Sequence, residues 1–134
     1  MSAGLLIDSS VIIASERGSA ALAQLSEQSA SVAISAVTVI ELWKGVERAD
    51  SATRRDRRAA MCERIVSSID VLDLDAPTAR AVARLWADLE RVGSVLSAFD
   101  LVIAGTALAH GLVLATFDRD FEVVPELELI VLAA

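Results

Sequence analysis

The amino-acid sequence predicts an α/β domain with a central, mainly parallel sheet of about four to five strands flanked by helices. Three observations carry this expectation. Short β-branched runs alternate with longer helical stretches, the pattern that strand-helix-strand units leave in a sequence. The first run, Gly4 to Asp8, stays apolar without alternation until its terminal acid, as a strand covered on both faces does. Helix punctuation falls between the runs: Gly18, Gly93 and Gly111 follow helical segments, and Asp75 precedes Pro77.

Taken in order, Gly4 to Asp8 is the first expected strand. Ser9 to Glu16 follows as a short helix closed by Gly18, and Ser19 to Gln28 as a second helix carrying Leu22 and Leu25. Val32 to Ser35 is the second strand. An apolar helix from about Val37 to Ala49 contains Glu41, and the next, from about Thr53 to Ser68, is strongly charged at its start. Val71 to Leu74 is the third strand. Asp75, an N-cap with a proline behind it, opens a helix that stops near Gly93; Val82, Trp86 and Leu89 are spaced to form one apolar stripe along it. Ser97 to His110 is a further apolar helix, Leu112 to Thr116 the fourth strand, Phe117 to Phe121 a loop, and about Leu127 to Leu132 a short last strand.

A length of 134 residues suits one domain over 1–134, and 54% hydrophobic against 23% charged residues excludes a disordered chain. No apolar run approaches the roughly 20 residues a membrane-spanning helix needs, because Asp8, Glu41, Asp100 and His110 interrupt the candidates. Met1 to Ile7 lacks the basic start and long apolar core of a signal peptide, so a cytoplasmic location is expected. The single cysteine, Cys62, forms no internal disulfide and, with only His110 for company, makes a structural zinc site implausible. Twelve Lys and Arg against 19 Asp and Glu give a net charge of -7, which argues against nonspecific binding to polyanions.

Ligands of open α/β sheets bind beyond the carboxyl ends of the strands. Asp8 ends the first strand, and Asp118 follows the fourth by two residues. Glu41 lies between Ile40 and Leu42, and Asp100 between Phe99 and Leu101. Each has a structural alternative except Glu41: Asp8 as a helix cap, Asp100 in a capping box with Ser97, Asp118 as a turn former. Carboxylates in apolar surroundings need compensation, and Lys44 is the only lysine. A divalent cation supplies it, since an all-oxygen carboxylate set is what Mg²⁺ or Mn²⁺ selects. Such an ion activates water and stabilises phosphodiester oxyanions, which reconciles an acidic chain with nucleic-acid cleavage.

Four segments then come together. Leu6-Ile7-Asp8-Ser9-Ser10-Val11-Ile12, Ser35 to Leu42, Asp100 to Ala107, and Leu114-Ala115-Thr116-Phe117-Asp118-Arg119-Asp120-Phe121 resemble, in order, the signatures of PIN-domain ribonucleases, nearest to the VapC-type toxins of bacterial toxin-antitoxin modules. The resemblance spans residue 5 to about 132. It implies a three-layer fold and a metal-dependent endoribonuclease acting on RNA. The family's acids map onto Asp8, Glu41, Asp100 and Asp118, with Ser10 and Thr116 as polar neighbours. It also implies one or two Mg²⁺ or Mn²⁺ ions, a homodimer, and silencing by a cognate VapB-type antitoxin, through which alone DNA would be contacted. Asp118-Arg119-Asp120-Phe121 is tighter than in many relatives, so Asp120 competes with Asp118 to face the metal; Asp118 is favoured. Asp8, Asp100 and Asp118 are expected to hold the ion, with Glu41 placing a second ion or accepting a proton from the attacking water.

Arg54, Arg55, Arg57 and Arg58 form the only basic run, at a helix start where positive charge opposes the dipole. It is either a solvated face or a contact to RNA phosphate or to an acidic part of an antitoxin. Trp43 and Trp86 are read as core or interface aromatics, His110 as a partner of the helix dipole at a C-terminus and Cys62 as a buried thiol. The competing functions are a phosphoryl-accepting receiver-like protein, disfavoured because Lys44 lies mid-helix in the first half, and a catalytically inactive binding scaffold.

Overall fold

Leu5, Leu6 and Ile7 form the strand from which the architecture is built, and all three are buried. A computed structural model describes residues 4–29 and 31–133; the first three residues of the N-terminal segment considered above lie outside the described residues. The strands are β1 (Leu5–Ile7), β2 (Val32–Ser35), β3 (Asp70–Leu72), β4 (Val113–Thr116) and β5 (Leu129–Val131). The helices are α1 (Ser9–Glu16), α2 (Ala21–Gln28), α3 (Ala36–Glu47), α4 (Ala52–Ser68), α5 (Ala76–Arg91) and α6 (Ala98–His110). The sheet order is β3-β2-β1-β4-β5 and every pairing is parallel.

Successive strand residues point to opposite faces, and the two cores follow that alternation. Leu6, Ala33 and Leu114 enter the core shared with α5 and α6, whose Leu85, Leu89, Leu101 and Ala104 close it. Leu5, Ile7, Ile34 and Ala115 enter the core shared with the first four helices. The result is a three-layer α/β/α sandwich. Among the described residues, no helix is long and apolar enough to cross a membrane.

The helix starts obey local chemistry. Ser35, Ser51, Asp75 and Ser97 each accept a backbone N–H from the first turn of α3, α4, α5 and α6. Gly111 ends α6 in the left-handed region at φ 63°, and the N–H of Leu112 turns back to the Ala107 carbonyl, a closure that glycine permits without strain.

Three sequence expectations need correction. The segment expected as a loop over 117–121 contains a 3-10 helix, Arg119–Val123, because Asp118 accepts the Asp120 N–H at 2.8 Å and Phe121 is drawn fully into the core. The third strand ends at Leu72, and Leu74 is exposed. Trp86 is 52% exposed; the buried face of α5 runs through Thr78, Leu85 and Leu89, with Val82 packed against it, and Trp86 lies off that face. Spacings of three and four admit both stripes.

Val82, common to both stripes, meets α6 at Gly105. A Cβ there would stand 2.5 Å from Val82 Cγ2 and 3.0 Å from Val82 Cα, so α5 and α6 meet backbone to backbone. Gly105→Ala should therefore destabilise the chain by about 1–3 kcal/mol, despite alanine's better helix propensity. Gly45 of α3 has nothing within 4 Å of its Cβ position, so Gly45→Ala should stabilise by about 0.5–1 kcal/mol. Denaturant unfolding of both variants checks the opposite signs.

Candidate active site

The chain order places β1 beside both β2 and β4, so the direction of winding reverses at β1. Ligand crevices form at such a switch point, beyond the carboxyl ends of the strands. Asp8 follows β1 there, and the β1–β4 register carries Thr116 and Asp118 to the same end.

Asp8 occupies the N-cap position of α1 with extended backbone, yet its side chain caps nothing. The carboxylate turns instead toward two hydroxyls. Its Oδ2 accepts the Ser10 hydroxyl and the Thr116 hydroxyl, each at 2.8 Å. Both hydroxyl oxygens are themselves fixed by the backbone: Ser10 Oγ accepts the Phe117 N–H at 3.1 Å, and Thr116 Oγ1 the Asp118 N–H at 2.9 Å. Both hydroxyl hydrogens thus converge on one oxygen of a buried carboxylate. Among the described residues no hydrogen bond is directed at Oδ1, which is left for another partner.

Glu41 projects from α3 between exposed Ile40 and buried Leu42. Burial first, then the charge of Asp8, and further Asp100, push its pKa above the ordinary carboxylate value; Ser9 and Lys44 pull the other way. Asp100, in the first turn of α6, donates its backbone N–H to Ser97 at 3.2 Å. Its pKa is also raised, by burial foremost and then by Asp8, Asp118 and Asp120, against the lowering effect of Ser97. The charges acting on Glu41 and Asp100 place Asp8, Glu41, Asp100, Asp118 and Asp120 in one electrostatic neighbourhood. Asp118 has one oxygen committed to the Asp120 N–H, and Asp120 is exposed.

The ion pairs among the described residues are Arg54–Asp50, Arg58–Glu16, Arg91–Asp88 and Arg119–Glu122, so none of the five acids is paired with a basic side chain. Glu41 Oε1 is buried without a hydrogen-bond partner among the described residues. Carboxylates, hydroxyls and no soft ligand make a donor set suited to a hard divalent cation. Among the described residues, however, no three His, Cys, Asp or Glu side chains stand closed in ligand geometry. The donors fit such an ion in kind.

The basic run divides. Arg58 donates to Glu16 at 3.3 Å and to the Gly45 carbonyl at 2.8 Å, tying α4 to α1 and α3, so it is a structural strut and not a free cation. Arg54 pairs with Asp50 on the surface, while Arg55 and Arg57 are exposed. Cys62 is a buried free thiol and Trp43, on α3, packs against the core, as expected. Thr38, completely buried one helical turn before Glu41, is legible in the sequence only as a polar residue in an apolar helix.

The raised pKa values have a stability consequence. A carboxyl whose folded-state pKa exceeds its unfolded value favours the fold while protonated, and that contribution is lost as pH rises through the folded value. At neutral pH the cation-free chain should therefore be stabilised by Glu41→Gln and by Asp100→Asn. The advantage over the parent should vanish on acidification, once the parent's carboxyl is also neutral. Thermal unfolding in chelator across the acidic range checks both parts.

Known proteins share this architecture. The PIN domain family matches residues 5–127. Ribonuclease VapC1 of Rickettsia felis is 32% identical over 98% of each chain. A tRNA(fMet)-specific endonuclease VapC of Shigella flexneri is 41% identical over 66% of each chain. Among solved structures, a member of the VapBC family of toxin-antitoxin systems, VapBC-5 from Mycobacterium tuberculosis, superposes with a TM-score of 0.82 at 32% identity, over 98% of this chain and all of that one. The chain belongs to the PIN-domain family and, within it, groups with the VapC proteins.

Proposed function

We propose that this protein is a divalent-metal-dependent endoribonuclease that hydrolyses RNA phosphodiester bonds as the toxin of a toxin-antitoxin pair, and that a cognate VapB-type antitoxin inhibits it. The observation that carries the chemistry is Asp8: one oxygen is locked by two hydroxyls, the other accepts no hydrogen bond among the described residues, and its charge acts on both Glu41 and Asp100. A catalytically inactive scaffold has no use for that arrangement. The receiver-like alternative fails with the family assignment, and Lys44 is exposed on α3.

Asp8, Asp100 and Asp118 would hold one or two Mg²⁺ or Mn²⁺ ions, with Asp120 at the margin. The ion supplies Lewis-acid stabilisation of phosphate oxyanions and a more acidic water. The chain's own residues provide the rest. Ser10 and Thr116 fix the Asp8 carboxylate so that no reorientation is needed when substrate arrives. Glu41, whose raised pKa favours protonation, accepts the proton of the attacking water. Arg54, Arg55 and Arg57 offer charge to RNA phosphate or to an acidic part of the antitoxin. A homodimer is the working form, DNA is reached only through the antitoxin, and the cytoplasm, where Cys62 stays a thiol, is the site of action.

Cleavage of RNA by the purified chain should require added Mg²⁺ or Mn²⁺ and stop in chelator. Ser10→Ala and Thr116→Val should each lower it by about 10–100-fold, as removal of an outer partner of a ligand does. Asp8→Asn should lower it further. Cleavage that survives chelator, or Asp8→Asn, contradicts the reading. Replacing Arg54, Arg55 and Arg57 by Gln should flatten the salt dependence of RNA binding by about 0.7 in log-log slope for each phosphate no longer neutralised; an unchanged slope removes them from the RNA interface.

A further inference from the structure

Two buried side-chain oxygens among the described residues have no hydrogen-bond partner, Thr38 Oγ1 and Glu41 Oε1. They belong to one helix, α3, three residues apart, the spacing that stacks side chains on a common face. One is a hydroxyl, which can donate; the other belongs to a carboxylate, which when ionised only accepts. Thr38 is fully buried, and valines occupy both neighbouring positions, 37 and 39. Packing alone would favour valine at 38 too, because it has the same shape without a polar atom to satisfy.

Asp8 shows what such a hydroxyl does in this crevice. There Ser10 and Thr116 hold one carboxylate oxygen and leave its twin free. We propose that Thr38 is a positioning residue of the nuclease site: its hydroxyl donates to one buried water, which in turn donates to Glu41 Oε1, so that the second oxygen is presented toward Asp8 and Asp100. The inference rests on the nuclease reading above, and adds to it a second hydroxyl-held carboxylate. Glu41 is then aimed, and not merely available, when the attacking water has to lose its proton.

Thr38→Val removes the hydroxyl at constant shape, and Thr38→Ser keeps it. With RNA and Mn²⁺, Thr38→Val should lower kcat by roughly 10-fold with KM unchanged, and Thr38→Ser should restore kcat to within about twofold of the parent. A valine variant with the parent's kcat, or a serine variant as slow as valine, overturns the proposal. A cycle in chelator separates this bridge from the nuclease reading itself. Thr38→Val should lower the unfolding midpoint of the parent, and should lose that effect in a Glu41→Ala background. Equal effects in the two backgrounds overturn the hydroxyl-water-carboxylate bridge. Coupling without any cleavage by the parent supports the bridge and rejects the nuclease.

Discussion

Mutual repulsion among carboxylates at the carboxyl end of β1 is the constraint on which the rest of the structure turns. Burial and the charge of Asp8 raise the proton affinity of both Glu41 and Asp100, Asp100 adds to the burden on Glu41 and Asp118 and Asp120 to that on Asp100, and no basic side chain among the described residues pairs with any of them. A fold that gathers negative charge where burial already penalises it is under local strain of an electrostatic kind. Marginally stable proteins keep such clusters where function depends on them. In the proposed reading a divalent cation supplies the compensation.

The fold delivers these groups by simple means. Winding outward from β1 in one direction and then the other puts the ends of β1 and β4 side by side, which brings Asp8 to Thr116 across 108 residues of sequence. Helices α3 and α6 then carry Glu41 and Asp100, while Leu42 and Leu101 next to them anchor the helices in opposite cores. The strut from Arg58 to Glu16 and the Gly45 carbonyl ties α3 to its neighbours, so Glu41 sits on a braced helix. Rigid elements thus carry the acids. The backbone N–H groups of Phe117 and Asp118 fix the two hydroxyls that orient Asp8, which extends the order of the sheet into the site.

Much of this is legible in the sequence, and the exceptions are instructive. Strand and helix identity follow from alternation and punctuation because the cores are strongly apolar and the caps, Ser35, Ser51, Asp75 and Ser97, act locally. The acids stand out because their neighbours are apolar. Asp8 keeps its ambiguity in sequence, since a residue before a helix looks like a cap whether or not its side chain serves as one; only the hydroxyls from residues 10 and 116 show where it points. Trp86 defeats the sequence pattern because helical spacing admits two stripes, and which of them is buried is a tertiary fact, seen in Leu85 and Leu89 entering the core while Trp86 stays exposed. Arg58 looks like its neighbours in the basic run, although its partner Glu16 lies 42 residues away.

Isothermal titration of Mg²⁺ or Mn²⁺ into the purified protein, beside Asp8→Asn, addresses the electrostatic claim without reference to any substrate. Saturable uptake of one or two ions, with proton release on binding and sharp weakening by Asp8→Asn, is the expected result. No uptake at neutral pH, or uptake indifferent to Asp8, would show that these carboxylates meet for some other reason.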